Sequence, residues 1–178
     1  MHYAHIELVK RAAKEHDCNI LLNPVSGPTK DGDIDYVTRM KAYQAVMHSF
    51  DESRTLLNLL PLAMRMGGPR EALLHCIIRQ NYGASHFIIG RDHAGPGSNS
   101  KGKDFYEPYA ARDAVMETKS SFAIKPIPFD MVVYVEADKK YYLTSEVPKG
   151  TQVMKLSGTE VRRRLREGID IPEWFSPP

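Results

Sequence analysis

The sequence predicts an α/β fold: a Rossmann-like parallel sheet flanked by helices, with a small α+β segment at the C-terminal end. Three observations predict it. Short apolar runs, CNILLNPV, TLLNLLPL and SHFIIG, alternate with segments of helical period, the order that right-handed βαβ units and a parallel sheet require. A glycine-rich loop directly follows the third run, where open α/β sheets bind ligands. From about residue 123 the pattern turns to β, and a well-marked helix closes the chain. With 178 residues, 42% hydrophobic and 26% charged, a real core is within reach, and an extended disordered or collagen-like chain is excluded.

Each element has a local cause. Residues 5–16 set Ile6, Val9, Ala12 and Ala13 on one face and Glu7, Lys10, Arg11, Lys14 and Glu15 mostly opposite, which is helical periodicity. CNILLNPV is a strand closed by Asn23-Pro24. The segment 26–33, SGPTKDGD, has turn chemistry throughout, and 34–50 reads as a second helix. TLLNLLPL is a buried strand stopped near Pro61. Gly67 and Gly68 make a loop, and Pro69 opens a helix as its first-turn residue, with Ala72, Leu73, Cys76 and Ile77 on the inner face. SHFIIG is the third strand, GRDHAGPGSNSKGKD a long loop, and a helix lies near FYEPYAARDAVMET. IKPIPFDMVVYVEA and KKYYLTSEV are strands separated by a polar turn at Asp138. In LSGTEVRRRLREG, Ser157 and Glu160 have the S-x-x-E spacing of a capping box and Gly168 ends the helix. No internal repeat is visible. The division implied is 1–122 for the sheet and its helices and 123–178 for a smaller domain.

Lys and Arg number 24 and Asp and Glu 22, a net +2, too weak a balance for a nucleic-acid footprint, which needs clustered cations. No apolar run reaches the roughly 18 residues of a membrane span, since LLNLLPLAM is broken by Asn58 and Pro61. The N-terminus lacks the charged-then-apolar order of a signal peptide. A soluble, cytoplasmic protein without membrane or nucleic-acid partners is expected. Cys18 and Cys76 show no CxxC or His/Cys spacing, so free buried thiols and no protein-bound metal are expected.

Three constellations are able to carry chemistry. His2 and His5 lie three apart, on one helical face at the helix N-terminus, where exposed amides favour an anion; pattern alone favours the alternative, incidental histidines in an unstructured N-terminal tail. In Gly90-Arg91-Asp92-His93-Ala94-Gly95-Pro96-Gly97, glycines let backbone amides approach a ligand and an arginine can clamp phosphate; the alternative is a surface loop that needs glycines to turn. Neither GxxxxGK[ST] nor GxGxxG is present, so no P-loop or dinucleotide fingerprint applies. Arg162, Arg163, Arg164 and Arg166 form a basic helix that reads either as a phosphate contact or as a solvated face, and Lys101 and Lys103 are equally open.

GRDHAGPG, preceded by NYGASHFII and GGPREALLH and followed at the end by LSGTEVRRRLREGIDIPEWF, resembles ATP sulfurylase (sulfate adenylyltransferase) over residues 1–178, in order and spacing. The resemblance implies a nucleotidylyltransferase-like sheet and a reaction of ATP with sulfate giving adenosine 5′-phosphosulfate and pyrophosphate. It implies that His2 and His5 match an H-x-x-H pair steadying the phosphates, with Arg91 as a further catalytic residue. Gly90, Arg91, Asp92 and His93 match the ATP-binding loop, Ala94 the position whose amide holds sulfate, and Phe129 and Val132 the segment lining the nucleotide site. Mg²⁺ is expected with ATP, on the β- and γ-phosphates. No general base is needed, because sulfate is already ionised.

The same resemblance marks a departure. The family's H-x-x-H follows a Gln-x-Arg-Asn-Pro run at the end of a first strand, and this chain starts at Met1, directly before His2. A truncated chain is therefore expected, lacking that strand, the sulfate-gripping run and the β-rich N-terminal domain, and carrying no kinase P-loop. A sheet without its first strand is expected to self-associate. The alternative reading is a catalytically inactive nucleotide-binding or subunit-interaction remnant of the same fold; an adenylyl- or cytidylyltransferase for another acceptor is disfavoured by GRDHAGPG.

Overall fold

The computed structural model describes residues 1–29 and 32–177. Lys30 and Asp31, inside the expected turn segment, and Pro178 lie outside the described residues. The α/β class holds. Helix α1 (Tyr3–Glu15) leads to strand β1 (Ile20–Leu22), α2 (Tyr36–Val46) to β2 (Thr55–Leu57), α3 (Pro69–Asn81) to β3 (His86–Ile89), and α4 (Ala110–Glu117) to β4 (Lys125–Pro128). A hairpin of β5 (Val132–Val135) and β6 (Lys140–Leu143) and the helix α5 (Gly158–Glu167) complete the chain. No helix among the described residues is long and apolar enough to cross a membrane.

Helix ends follow local chemistry. Asp35 Oδ1 accepts the Thr38 N–H at 3.0 Å and starts α2. Ser157 Oγ accepts the Glu160 N–H at 3.1 Å and starts α5, which stops at Gly168 with φ +66°. Only half of the capping box forms, because the Glu160 carboxylate is taken by Arg163 and Arg164. The arginine helix is thus largely a surface of local ion pairs, with Arg162 turned to Asp33 at 3.6 Å.

The parallel sheet comes in two pieces. β1 pairs with β2 from Ile20 opposite Thr55 to Leu22 opposite Leu57, and β3 pairs with β4 from His86 opposite Lys125 to Ile89 opposite Pro128. The pairs do not hydrogen-bond to each other. Between them lies a cavity of about 790 Å³, lined by Ile20, Leu21 and Leu22 on one side, His86, Phe87 and Ile88 on the other, and Val9, Ala12 and Ala13 of α1. Helix α1 joins the halves. Its Ile6 packs with Leu22, Val46 and Phe50, while Leu8 and Ala12 pack with Ile88, Ile127 and Phe129.

Three expectations change in detail. Of TLLNLLPL only Thr55–Leu57 is strand; alternation sends Leu57 to the core and leaves Leu56 60% exposed on an uncovered face. On α3 the buried side chains are Glu71, Ala72, His75 and Cys76, and Ile77, expected inside, is 44% exposed. It lies about 100° around the helix from Cys76, past the edge of the buried stripe. The sheet also continues beyond residue 122: Gln80 Oε1 accepts the Ala123 and Ile124 N–H groups, and Ile124 is buried with Ala72, Cys76, Ile89, Ala111 and Val115. Cys76 is buried and Cys18 half-buried, and both are free.

A gap between two strand edges leaves backbone donors and acceptors without partners. The chain is expected to elute from size-exclusion chromatography as a concentration-dependent oligomer or aggregate; a monomer that unfolds in one sharp transition would contradict this.

Candidate functional site

The glycine loop leaves β3 at its carboxyl end and folds back on itself. The Asp92 N–H donates to the Pro108 carbonyl at 2.7 Å, the Gly95 N–H to the Asp92 carbonyl at 3.1 Å, and the Phe105 N–H to the Gly97 carbonyl at 3.2 Å. Asp92 (φ +53°) and Ala94 (φ +51°) hold left-handed conformations, which cost a non-glycine residue on the order of 1 kcal/mol or more and persist only when neighbours impose them. The neighbour is the loop before α3, where the Gly68 N–H donates to the Ala94 carbonyl at 2.8 Å. Gly68 itself has φ +59°, and a Cβ there would stand 2.7 Å from the Tyr106 ring. Glycine is required at 68 on both counts.

A cleft of about 430 Å³ results, walled by Arg91–Gly97 and by Met64, Met66, Gly68, Tyr106 and Glu107, with Thr29 and Asp33 across from them. Arg91 is largely exposed, its Nε 3.3 Å from Asp92 Oδ2 and its Nη1 3.9 Å from Met131 Sδ. Among the described residues no protein acceptor takes the Ala94 N–H. The distal part of the loop is tied down by Asn99, whose Oδ1 accepts the Lys101 and Lys103 N–H groups, and by the Ser98–Asp104 side-chain bond.

Behind the cleft sits a polar group that composition did not single out. Glu71, 4% exposed, accepts the Arg65 N–H on Oε1 at 2.8 Å and the Gly67 N–H on Oε2 at 2.7 Å. His75, one turn on and 3% exposed, has Nε2 3.6 Å from Glu71 Oε1 and Nδ1 3.0 Å from His93 Nε2. The signal was available as a Glu-x-x-x-His spacing inside PREALLH, on the face that also carries Ala72 and Cys76.

The other expected residues lie elsewhere. His2 is the N-cap residue of α1 and His5 sits in its first turn, as the spacing predicts. Their rings stack on each other at 3.8 Å, His2 also meets Phe175, and neither lines the cleft. One α1 amide, Tyr3 N–H, is already given to the Phe175 carbonyl at 2.9 Å. Phe129 is buried against Ala12 and Ile127 beneath the sheet, and Val132 is in the hairpin opposite Leu143; neither reaches the cleft. Gly90 connects β3 to the loop with open space where a Cβ would be.

Loss of hydration drives the imidazoles toward neutrality. His93 is pushed down to about 4 by desolvation and then by His75 and Arg79, and His75 is lowered by desolvation and Arg79. His2, half-buried, falls to about 3, first by desolvation and then by the His5 ring stacked on it. A depressed imidazole takes its proton in the unfolded chain near pH 6.5 and in the folded chain only well below that. Unfolding therefore takes up protons, and stability falls as pH drops from about 6.5 toward 4. Thermal unfolding between pH 7.5 and 5 is expected to show a falling Tm, with a shallower slope in His93→Gln; a flat Tm over that window would contradict these assignments.

The family model for ATP-sulfurylase matches residues 1–178. The chain is 53% identical to a sulfate adenylyltransferase of Neurospora crassa and 54% identical to those of Yarrowia lipolytica and Schizosaccharomyces pombe. Each alignment covers 100% of this chain but only 31%, 31% and 36% of the relative, so the chain spans about a third of the length of the curated relatives it matches. A solved structure described as a hexameric APS kinase from Thiobacillus denitrificans superposes with a TM-score of 0.76 at 30% identity, over 100% of this chain and 32% of that one. With a family match along its entire length and a glycine loop built at the carboxyl end of a parallel strand, this chain belongs to the ATP-sulfurylase family.

Proposed function

We propose that this chain is the nucleotide-handling portion of a sulfate adenylyltransferase. A sulfate oxygen attacks the α-phosphorus of ATP, the new P–O–S bond forms as the α,β-anhydride breaks, and pyrophosphate leaves. Nucleophile and leaving group are both anions, so catalysis reduces to holding them in line and offsetting charge. The observation that carries this reading is the cleft on the 91–97 loop: a wall of backbone at the end of β3 with one exposed arginine.

In this reading Gly90, Arg91, Asp92 and His93 hold ATP, with the Arg91 guanidinium on phosphate oxygens. The Ala94 N–H, which no protein acceptor occupies among the described residues, is offered to sulfate. Mg²⁺ arrives as part of the substrate, on the β- and γ-phosphates. His2 and His5 would donate neutral N–H groups to the phosphates once their stack opens. Phe129 and Val132, which the resemblance sets along the nucleotide, lie outside the 91–97 cleft. The stacking of His2 on His5 away from the cleft favours the alternative, a binding remnant without turnover, and the two readings separate on one assay.

Isothermal titration with Mg-ATP is expected to show binding that Arg91→Ala weakens about tenfold or more, the value of a charge-assisted hydrogen bond. Pyrophosphate release that rises on adding sulfate identifies the transferase; binding without such release identifies the remnant. Equal ATP affinity in the wild-type and Arg91→Ala chains would remove Arg91 from the site.

A further inference from the structure

We infer that Glu71 and His75 lock His93 with its proton on Nε2, so that its free Nδ1 is a hydrogen-bond acceptor and takes a donor of the nucleoside, a ribose hydroxyl or the adenine amine, in place of a phosphate oxygen. The inference rests on the proposal that the 91–97 cleft holds a nucleotide. Both oxygens of Glu71 accept backbone N–H bonds, 2.8 Å from Arg65 and 2.7 Å from Gly67, so this side chain is an acceptor throughout, a carboxylate. Its Oε1 lies 3.6 Å from His75 Nε2, too long for a hydrogen bond but close enough, in a buried setting, for the charge to choose between an N–H and a lone pair. The N–H wins.

A neutral His75 with its proton on Nε2 has a lone pair on Nδ1. The 3.0 Å contact from that atom to His93 Nε2 is then a bond in which His93 Nε2–H donates, and His93 keeps a lone pair on Nδ1. The opposite arrangement would aim the His75 Nε2 lone pair at the carboxylate. A doubly protonated His93 is opposed first by loss of hydration and then by His75 and Arg79, which outweigh the pull of Glu71, and the Phe87 ring packs against it at 5.6 Å. His93 lines the cleft, and among the described residues its Nδ1 makes no hydrogen bond and is not among the enclosed unpartnered atoms. An acceptor repels phosphate and welcomes O–H or N–H. Glu71 and His75 are positioning residues that act through His93.

The test starts on the ligand-free wild-type chain, where ¹⁵N-imidazole spectra at pH 7 read the tautomers directly. Both His75 and His93 are expected as Nε2–H; a proton on His93 Nδ1, or a rapidly exchanging mixture, overturns the inference whatever the chain binds. In titrations, His93→Ala is expected to weaken ATP about three- to tenfold, the value of one neutral hydrogen bond, and to leave tripolyphosphate unchanged. His93→Asn, whose Oδ1 takes the place of Nδ1, is expected to recover part of the loss. Among 2′-deoxy-ATP, 3′-deoxy-ATP and purine riboside triphosphate, the analogue lacking the donor binds the wild-type chain more weakly than ATP and His93→Ala no more weakly. Equal loss of ATP and tripolyphosphate affinity, or no discrimination among the analogues, also overturns it. Failure of the wild-type chain to bind ATP with the predicted tautomers in place would instead sink the nucleotide-site proposal.

Discussion

The buried carboxylate of Glu71 is the interaction on which the shape of the cleft depends. A charge in that position needs strong compensation, and it finds two short backbone N–H bonds at the loop before α3. Each is worth about 1.5 to 3 kcal/mol, and together they hold residues 65–67 against the helix. With that stretch held, Gly68 is placed to give its N–H to Ala94, and the glycine loop after β3 is held from the side. The left-handed Asp92 and Ala94 are then sustained by contacts of their own neighbours. A loop held this way exposes its amides at fixed positions, which is what electrostatic stabilisation of an anionic transition state asks of a protein.

The second organising feature is α1. It touches both parallel pairs, through Ile6 on one and Leu8 and Ala12 on the other, and Arg11 ties it to the hairpin through Glu146 at 2.8 Å and the Tyr141 carbonyl. The cavity between β1 and β3 lies directly under this helix. The loop that forms the cleft is carried by the β3–β4 half alone, whose core of Ala72, Cys76, Ile89, Val115 and Ile124 is the most completely buried in the molecule. The glycine-loop wall of the cleft therefore rests on the better-packed half of the molecule, with Thr29 and Asp33 facing it from the other, while the histidines of α1 ride on the helix that spans the gap.

What the sequence made legible was local. Pro69 opening α3, Ser157 and Gly168 bounding α5, and the placement of the glycine loop after SHFIIG are decided by residues next to one another in the chain, and all are present. Glu71 and His75 escaped because apolar residues were assigned to the inner face of α3. A buried glutamate makes sense only with the Arg65 and Gly67 amides beside it, and those come from the chain's own path in space. The same holds for Ile77, turned out by a small difference in phase, and for Phe129, whose packing against Ala12 requires knowing that α1 crosses β4. His2 and His5 share a face as their spacing implies, yet their stack depends on Phe175 at the far end of the chain.

Amide hydrogen exchange tests most directly the claim that Glu71 shapes the cleft. In the wild-type chain the Arg65, Gly67 and Gly68 amides are predicted to exchange slowly for a loop. Glu71→Gln keeps the size of the side chain but turns one acceptor into a donor facing a backbone N–H, so these amides and those of residues 91–97 are predicted to speed up together. The Lys125 amide, bonded to the Ser85 carbonyl in the other direction from the cleft, is predicted to stay as slow as before. Fast exchange at 65 and 67 in the wild-type chain, or unchanged exchange in Glu71→Gln, would contradict the account.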